Sequence, residues 1–571
     1  MRQNADGRLN VIYTQKANCQ DCYRCVRFCP VKAIRIAGGQ AQIDASLCVQ
    51  CGTCVRECPQ GAKQIRSDLD AVRALVASET PVAASVAPSF AALYSASLTK
   101  RFPGLLRRLG FRYVAETAEG AEYITEKSFA PGETGSICTA CPAVVKYAEK
   151  YRPEVLRSLI PIVSPMVAHG RLLKRKYKGC AVVFIGPCAA KKEEAARPEN
   201  ADAIDCVLTF QELTRWMEEE GVAPETCSES GFDSVRTVGD ARLFPLEGGM
   251  LRTGGIASNP EDAAVLRVSG AEAVIALLHN DETLQATKRI EPLFCMDGCI
   301  GGPAFPKEKS VFERRGRVIA YWRDAPTGCA ADAPQADCRA VFAHQAETLP
   351  DVSEMEIRRV YEKTGKADPA HQLNCGACGY PGCRENAIAI VRGMAEPEMC
   401  MPYMRRLAQQ RTDKIIETTP TGIVLLDSEL CMIQMNPAFQ KMFTCNNGIL
   451  GRRVSYLVNA DGFEQLQAGG AEKYESVQTK YGIRYHEVLY ALREDSQYVG
   501  IYTDISQVKF NAGQLDVIKT QTLLHAKEFL EHQVKFAQEM AHYLGKSTAQ
   551  SEEIAQRLIA LYEEQSPEES P

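Results

Sequence analysis

Two tandem cysteine runs near the start of the chain limit its possible folds more than any other feature. Both runs have the spacing C-x2-C-x2-C-x3-C-P, and their cysteines are Cys19, Cys22, Cys25 and Cys29, then Cys48, Cys51, Cys54 and Cys58. In such runs three thiolates cap three irons of a [4Fe–4S] cube, and the fourth reaches across to the other cube. We therefore predict two clusters, one held by Cys19, Cys22, Cys25 and Cys58 and one by Cys48, Cys51, Cys54 and Cys29. Zinc, the alternative, takes paired C-x2-C units rather than tandem runs that end in Cys-Pro.

The composition points to several domains in a reducing compartment. With 571 residues the chain is too long for one hydrophobic core. Its 24 cysteines fall in groups, which in a reducing compartment indicates metal ligands rather than disulfides. The net charge of −5 gives no polyelectrolyte signature, and no apolar run reaches the roughly 20 residues that span a bilayer. Because the start, MRQNADGRLN, lacks a signal peptide's regions, we expect a cytoplasmic protein that binds neither nucleic acid nor membranes.

Four further cysteines lie in three separate loops that are rich in glycine and proline. They are Cys141 in TACPAVVKY, Cys188 in GPCAAKKEE, and Cys295 and Cys299 in EPLFCMDGCIGGP. Dispersed cysteines are often ordinary buried thiols. Two of these adjoin a proline, as ferredoxin ligands often do, and glycines in the last loop would let backbone N–H groups approach an anionic cluster. The pattern therefore favours a further cluster.

The same loops resemble the three signature segments of [FeFe]-hydrogenases, and SVAPSFAA (85–92) resembles the loop that precedes them in that family. The resemblance covers about residues 80–345. It implies an H-cluster, which is a [4Fe–4S] cube joined by one cysteine to a di-iron unit carrying CO, cyanide and a bridging azadithiolate. By position, the implied cube ligands are Cys141, Cys188, Cys295 and Cys299, and Cys299 matches the bridging one.

The resemblance also implies residues that surround the di-iron unit. Lys191 matches a lysine that hydrogen-bonds a cyanide, and its P-C-x-x-K frame outweighs the alternative of a solvated lysine. A compact ammonium suits an anionic ligand in a dry pocket. Ala87, Pro88 and Ser89 match a loop that cradles another cyanide. Glu291 matches an acidic residue four positions before the first cysteine of the third signature.

Several positions depart from the catalytic members of that family. They carry a cysteine that relays protons to the amine bridge, and this chain has Ala140 there. A methyl group cannot shuttle protons, so fast turnover is not expected. Gly186 and Leu293 stand where methionines are usual, Cys138 is an alternative proton carrier, and Glu126 is a weak relay candidate. These departures resemble the sensory subgroup of [FeFe]-hydrogenases.

A third cysteine group follows the hydrogenase-like region. It has the spacing C-x2-C-x4-C-x16-C, and its members are Cys375, Cys378, Cys383 and Cys400. The glycine-rich sequence around it resembles a small [4Fe–4S] domain of electron-transfer proteins, with zinc as the alternative. Its position predicts a redox relay between the hydrogenase-like region and the C-terminal part.

The C-terminal part resembles a signalling module. Residues 412–508 resemble a PAS domain through ETTPTGIVLLDSELCMIQMNPAF and YVGIYTDIS, and alternating apolar residues there predict an antiparallel sheet. Asn436-Pro437 is expected to open a helix. Residues 509–545 predict one long helix, suited to dimerisation or to packing on the PAS domain, and the acidic tail after it predicts disorder.

The predicted fold is therefore multidomain α+β. We expect a ferredoxin-like module at 1–68, an α/β H-cluster domain at 69–345, a small [4Fe–4S] domain at 346–408, a PAS α/β domain at 409–508 and C-terminal helices with a disordered tail at 509–571.

Three functions compete at this point. The first is a sensory [FeFe]-hydrogenase that splits H2 slowly and passes the redox signal to the PAS domain and a separate phosphatase, kinase or regulator, as a homodimer. The second is a catalytic hydrogenase linked to ferredoxin or another redox partner. The third is an iron–sulfur scaffold without a di-iron unit, as in cytosolic cluster-assembly proteins; Lys191 and the loop around Ser89 argue against it, because a scaffold has no cyanide to bind.

Overall fold

The computed structural model describes residues 10–506 except 133–134, 234–237, 257–263, 307–308, 325–334, 346, 348, 470–471 and 494–495, and it leaves out the side chains of 411–412. The helix and tail predicted for 509–571 lie outside the described residues. The chain divides into two compact units, Met1–Met401 and Pro402–Pro571. None of the helices in the described part combines the length and the apolar composition that crossing a bilayer requires.

The two cysteine runs fold as a repeated loop-and-helix unit closed by short strands. Its elements are β1 Ile12–Thr14, α1 Arg24–Phe28, β2 Ile34–Ala37, β3 Gln40–Ile43, α2 Thr53–Glu57 and β4 Lys63–Ile65. Strand β1 pairs antiparallel with β4, and β2 pairs with β3. The two helices begin alike, after Tyr23 (φ 53°) and Gly52 (φ 76°) in the left-handed conformation. The sequence repeat is thus also a structural repeat.

A parallel four-stranded sheet with order β6-β5-β7-β8 forms the centre of the first unit. Its elements and the helices around it are α3 Leu69–Val76, β5 Val82–Val86, α4 Ala96–Thr99, α5 Phe102–Arg108, β6 Tyr113–Glu116, α6 Ala118–Ser128, α7 Pro142–Tyr151, α8 Pro165–Lys176, β7 Ala181–Gly186, α9 Ala190–Ala195, β8 Cys206–Thr209 and α10 Phe210–Glu219. Strands β5 and β7 are buried throughout, as parallel strands covered on both faces require. The α/β architecture expected for this region is confirmed.

A second, two-stranded parallel sheet completes the central region. Its strands are β9 Val265–Ser269 and β10 Arg289–Leu293. The helices of this region are α11 Gly249–Thr253, α12 Ala271–Leu278, α13 Asp281–Ala286 and α14 Val311–Arg323. Strand β10 pairs parallel with β9, with α12 and α13 in the crossover between them. Cys295 lies two residues after the end of β10. This small sheet therefore places the loop that carries Cys295 and Cys299.

The last part of the first unit folds onto the ferredoxin-like module. It contains α15 Glu354–Lys363, α16 Cys383–Val391 and the start of α17 Met401–Thr418. The Ile36 amide donates to the Met394 carbonyl at 2.9 Å, and the Gly38 amide donates to a carboxylate oxygen of Glu396 at 2.7 Å. The third cysteine group therefore lies against the ferredoxin-like module, whereas its place in the sequence suggested a position between the hydrogenase-like region and the C-terminal part.

The second unit contains a five-stranded antiparallel sheet with order β12-β11-β15-β14-β13. Its elements are β11 Gly422–Leu426, β12 Met432–Met435, α18 Pro437–Met442, α19 Asp461–Gln467, β13 Lys473–Lys480, β14 Ile483–Leu492 and β15 Gln497–Asp504. The rings of Phe439, Phe443, Tyr485 and Tyr502 pack together in its core. The predicted antiparallel sheet is confirmed, as is the helix that opens at Pro437.

Asn436 ties the first strand of this sheet to the helix that follows. Its side-chain oxygen accepts hydrogen bonds from the amides of Ile423 (2.8 Å) and Phe439 (2.9 Å). Its amide nitrogen donates to the carbonyls of Ile416 and Thr421. The residue is 1% exposed, so its loss would leave several buried backbone groups unpaired.

We expect Asn436→Ala to destabilise the second unit by about 3 kcal/mol, because it removes a helix N-cap and leaves buried polar groups without hydrogen-bond partners. Hydrogen–deuterium exchange of the full chain should show faster exchange in β11 and α18. Asn446→Ala is the matched control, because the exposed Asn446 caps only a short turn at the Gly448 amide. Equal exchange in the two variants would contradict the anchoring role of Asn436.

Candidate active site and cysteine clusters

The four central cysteines come together although they are far apart in sequence. Cys141 precedes α7, Cys188 follows β7, Cys295 follows β10, and Cys299 lies in a short 3₁₀ turn at Gly298–Gly301. Burial and then the neighbouring thiol of Cys141 raise the pKa of Cys188 to about 11. Burial also raises the pKa of Cys299, with Cys141 and Cys188 acting in the same direction. Ends of strands and helices from both parallel sheets thus bring the predicted cube ligands to one place.

These cysteines line a cavity of about 100 Å³ with mostly apolar walls. Each of the other predicted site residues also lines it: Ala87, Pro88, Ser89, Ala140, Lys191 and Glu291. The Ser89 hydroxyl is buried and has no hydrogen-bond partner in the described part of the chain. Four thiols and an unpaired hydroxyl on an apolar wall fit an anionic iron–sulfur group with small polar ligands.

Lys191 reaches the cavity from α9 and is only 8% exposed. Its ammonium nitrogen lies 2.7 Å from a carboxylate oxygen of Glu194, one helical turn on. The Ser164 hydroxyl donates to the same oxygen at 3.0 Å. The buried ammonium is thus compensated and held at the cavity wall, from which it could donate to an anionic ligand.

Glu291 lies on β10 with its carboxylate facing the helix α11. It accepts hydrogen bonds from the amides of Met250 (3.2 Å) and Leu251 (3.0 Å). Burial raises the pKa of Glu291 to about 7 despite those bonds. Burial raises the pKa of the nearby Cys138 thiol, and the charge of the Glu291 carboxylate raises it further. Both residues line the cavity that Ala140 also lines.

One departure from the hydrogenase pattern, Gly186, has a packing explanation. A side chain at Gly186 would meet the ring of Phe184, because an added Cβ lies 2.6 Å from its Cε1 atom and 3.2 Å from the Cβ atom of Ala87. Phe184 itself lines the cavity, as does Leu293. Phe184 therefore partly fills the space that a methionine side chain at position 186 would occupy. Glu126 is exposed and does not line the cavity.

Sequence reasoning missed Glu194, Ser164 and Phe184. An acidic residue three positions after Lys191 on a predicted helix was a usable signal for Glu194. Ser164 and Phe184 carry no such local signal, because tertiary packing alone brings them to the site.

The N-terminal cysteines gather in the crossed arrangement that the repeat predicts. Burial raises the pKa of Cys25 to about 11, and the neighbouring thiols of Cys22, Cys19 and Cys58 act in the same direction. Burial raises the pKa of Cys29 to about 12, with Cys51 and Cys48 as its neighbours. The last cysteine of each run accepts an amide hydrogen bond at its sulfur, from Ala33 (3.3 Å) and Ala62 (3.2 Å). Such bonds stabilise a thiolate ligand.

The second cysteine run directly contacts the central site. Cys51 packs against the same apolar core as Cys141 and Cys188, and an added Cβ at Gly52 would lie 2.4 Å from Cγ of Pro303. The ammonium of Lys150, on the helix that starts after Cys141, donates to the carbonyls of Ala45 (3.0 Å) and Cys48 (3.2 Å). Helix α7 thus fixes the Cys48 loop beside the central cysteines.

The third cysteine group is only partly shielded from solvent. Cys378 has Cys400 and Cys375 as neighbours that raise its pKa together with burial. Cys383 is buried at the start of α16, and its amide donates to the side chain of Asn374 at 2.8 Å. Cys375 is exposed, so this group lies at the surface of the first unit.

Comparison with known families agrees with these three sites. Residues 80–303 match the model of the iron only hydrogenase large subunit, C-terminal domain. Residues 18–62 match a 4Fe-4S dicluster domain, and residues 372–402 match a model described as "Putative Fe-S cluster". The chain therefore contains an [FeFe]-hydrogenase-type H-cluster domain and a 4Fe-4S ferredoxin domain. The fold of the C-terminal sheet as a PAS domain stays a prediction.

Individual relatives divide into two kinds. The periplasmic [Fe] hydrogenase large subunit of Nitratidesulfovibrio vulgaris is 27% identical over 277 residues, which are 38% of this chain and 65% of the relative. The cytosolic Fe-S cluster assembly factor NAR1 of Kluyveromyces lactis is 34% identical over 150 residues, 24% of this chain and 32% of the relative. The chain thus spans less than two thirds of either.

Among solved structures, an [FeFe]-hydrogenase HydA1 from Chlamydomonas reinhardtii is 19% identical with a TM-score of 0.35, covering 45% of this chain and 88% of the other.

Proposed function

We propose that this protein is a sensory [FeFe]-hydrogenase that binds and splits H2 slowly and passes the electrons through its [4Fe–4S] clusters toward the C-terminal sheet. The observation that carries this proposal is the cavity itself. Its wall holds four thiols, the ammonium of Lys191 and the unpaired hydroxyl of Ser89, yet at the relay position it presents the methyl group of Ala140.

The residues divide the work at the site. When bound, an H-cluster would supply heterolytic cleavage and oxidation of H2, which together release two protons and two electrons. Cys141, Cys188, Cys295 and Cys299 would hold it. Lys191 and Ser89 would donate hydrogen bonds to its small anionic ligands in an environment where water is scarce. Ala140 offers no proton acceptor, so proton transfer would depend on the slower, buried pair of Cys138 and Glu291.

The surroundings of the site fit electron exchange more than isolated catalysis. The cysteine runs would hold two [4Fe–4S] clusters beside the site, and the third group would hold another. H2 would be the substrate, and ferredoxin or another redox carrier would exchange electrons at the N-terminal module. The PAS-like sheet would report to a separate phosphatase, kinase or regulator, in a homodimer.

Infrared spectroscopy of the matured full-length protein is the decisive test. We expect the stretching bands of CO and cyanide from a bound di-iron unit, since these ligands belong to the cofactor itself. A protein that retains its [4Fe–4S] absorbance but shows no such bands would contradict both hydrogenase functions.

A scaffold function is the second candidate, because one group of relatives consists of Fe-S cluster assembly factors. It would use the same four cysteines and leave Lys191 and Ser89 without a ligand. The infrared test separates it from the proposed function, since a scaffold has no cyanide or CO to show.

A further inference from the structure

The loop that carries Cys375 and Cys378 packs closely against the ferredoxin-like module. Gly379 adopts a left-handed conformation (φ 92°), and an added Cβ there would lie 3.0 Å from the Arg27 amide nitrogen and 3.1 Å from Cγ1 of Val26. The guanidinium of Arg27 donates to the Ala377 carbonyl at 3.2 Å. Backbone meets backbone here, two residues before Cys29 of the ferredoxin-like module and one after Cys378 of the third group.

Lys32 holds the two loops together. It has φ 50°, an unusual conformation for a lysine, and it follows Cys29 by three residues. Its ammonium donates to the carbonyls of Val26 (3.1 Å), Arg27 (2.9 Å) and Gly379 (2.8 Å). Burial lowers the pKa of Lys32, and the thiols of Cys29 and Cys378 act against this. One ammonium therefore stands close to a thiol from each group.

Tyr380 fills the space beside it. The residue is 4% exposed and belongs to the apolar core that contains Cys25, Cys29 and Cys48. Its hydroxyl has no hydrogen-bond partner in the described part of the chain. Cys378 packs against the same core, so the Tyr380 ring shares one apolar environment with Cys29 and Cys378.

We propose that Lys32 and Tyr380 dock the third cysteine group on the Cys29 side of the ferredoxin-like module, so that its electron-transfer neighbour is the group of Cys48, Cys51, Cys54 and Cys29. Because Cys51 packs against the same apolar core as Cys141 and Cys188, that group is the common neighbour of the central site and of the third group. The group of Cys19, Cys22, Cys25 and Cys58 is then a separate branch, open to an external iron–sulfur electron carrier. Each transfer moves one electron from a reduced cluster to an oxidised one, with no proton and no bond change.

This inference relies on the proposed function only for the presence of the [4Fe–4S] clusters. It can therefore be tested without H2 or a di-iron unit. The full-length protein is reconstituted anaerobically with iron and sulfide and reduced with dithionite, and electron paramagnetic resonance reads the magnetic coupling between reduced clusters.

Deleting one ferredoxin-type ligand at a time identifies the neighbour of the third cluster. We expect its coupled signal to survive Cys22→Ser and to be lost in Cys51→Ser. Survival in Cys51→Ser with loss in Cys22→Ser would overturn the inference while leaving the proposed function intact. A protein that retains no iron at Cys375–Cys400 would overturn both the inference and that part of the proposed function.

Interface variants that keep every cysteine provide the second readout. Lys32→Met should weaken the coupling at least about twofold and shift the midpoint potential of the third cluster, since a cation near its thiolate favours the more negative, reduced state. Lys32→Arg, which keeps a cationic donor, should restore most of the coupling. Lys16→Met, at an exposed lysine of the same module, is the matched control. Unchanged coupling and potential in Lys32→Met would contradict the docking role.

Discussion

Replacing Ala140 with cysteine should raise H2 oxidation by roughly 10²-fold, the lower end of what a positioned acid–base group contributes. Ala140 lines the cavity beside Cys138 and Glu291, so a thiol at this position would face the bound ligands directly. A protein-film or dye-reduction assay of the matured variant, normalised to its CO and cyanide bands, would measure the change.

Two further variants make that result interpretable. Ala140→Val adds side-chain volume without a transferable proton and should leave the rate at or below that of the parent protein. Cys138→Ala should lower the residual rate of the parent if the buried thiol carries its protons. An Ala140→Cys variant no faster than the parent would mean that proton transfer does not limit turnover, and the sensory assignment would lose its main support.

Two adjacent lysines should respond in opposite ways to the same substitution. Lys191→Met should abolish retention of the di-iron unit, because Lys191 faces the cavity. It should cost less stability than Lys192→Met, because Glu194 keeps its hydrogen bond from the Ser164 hydroxyl. Lys192 points elsewhere, and its fully buried side chain lies 3.0 Å from Asp68 and 3.1 Å from Glu212. Lys192→Met should therefore cost about 3 kcal/mol of folding stability, because it removes the buried cation shared by both carboxylates and its hydrogen bond to the Val207 carbonyl.

The two lysine variants serve as controls for each other when the infrared bands and the folding stability are measured on the same samples. Infrared bands, taken per folded molecule, should vanish in Lys191→Met and persist in Lys192→Met. Denaturant unfolding should show the reverse order of effects. Loss of the bands in both variants would indicate a general distortion of α9 rather than a specific contact from Lys191.

Much of the fold was readable from local sequence patterns. The continuous apolar run CAVVFIG at 180–186 is typical of a buried strand, and the alternation at 485–492 is typical of a strand in an antiparallel sheet, because side-chain periodicity reflects which faces are covered. The docking of the third group on the ferredoxin-like module was not readable. It depends on Gly379 and Lys32, which are far apart in sequence and carry no periodic signal.

The candidate site likewise combines residues that the sequence predicts with contacts that only the folded chain creates. Spacing gave the cysteine groups, because a cluster forces its ligands into fixed loops, and the resemblance gave Lys191 and Ser89. Neither could give the place of Phe184 against Gly186, nor the packing of Gly52 against Pro303. Those depend on how two sheets and a repeated loop meet in space.

The distribution of exposed thiols has a consequence for the order in which the clusters are lost. Cys22 and Cys375 are exposed, whereas the cysteines that line the central cavity and those of the Cys48 group are buried or half-buried. A chelator reaches exposed thiolate ligands first. Brief treatment with a chelator would therefore strip the outer clusters before the central one. Under the proposed function, such a protein would still bind H2 but would no longer report it, and repair would require only new iron and sulfide at the surface.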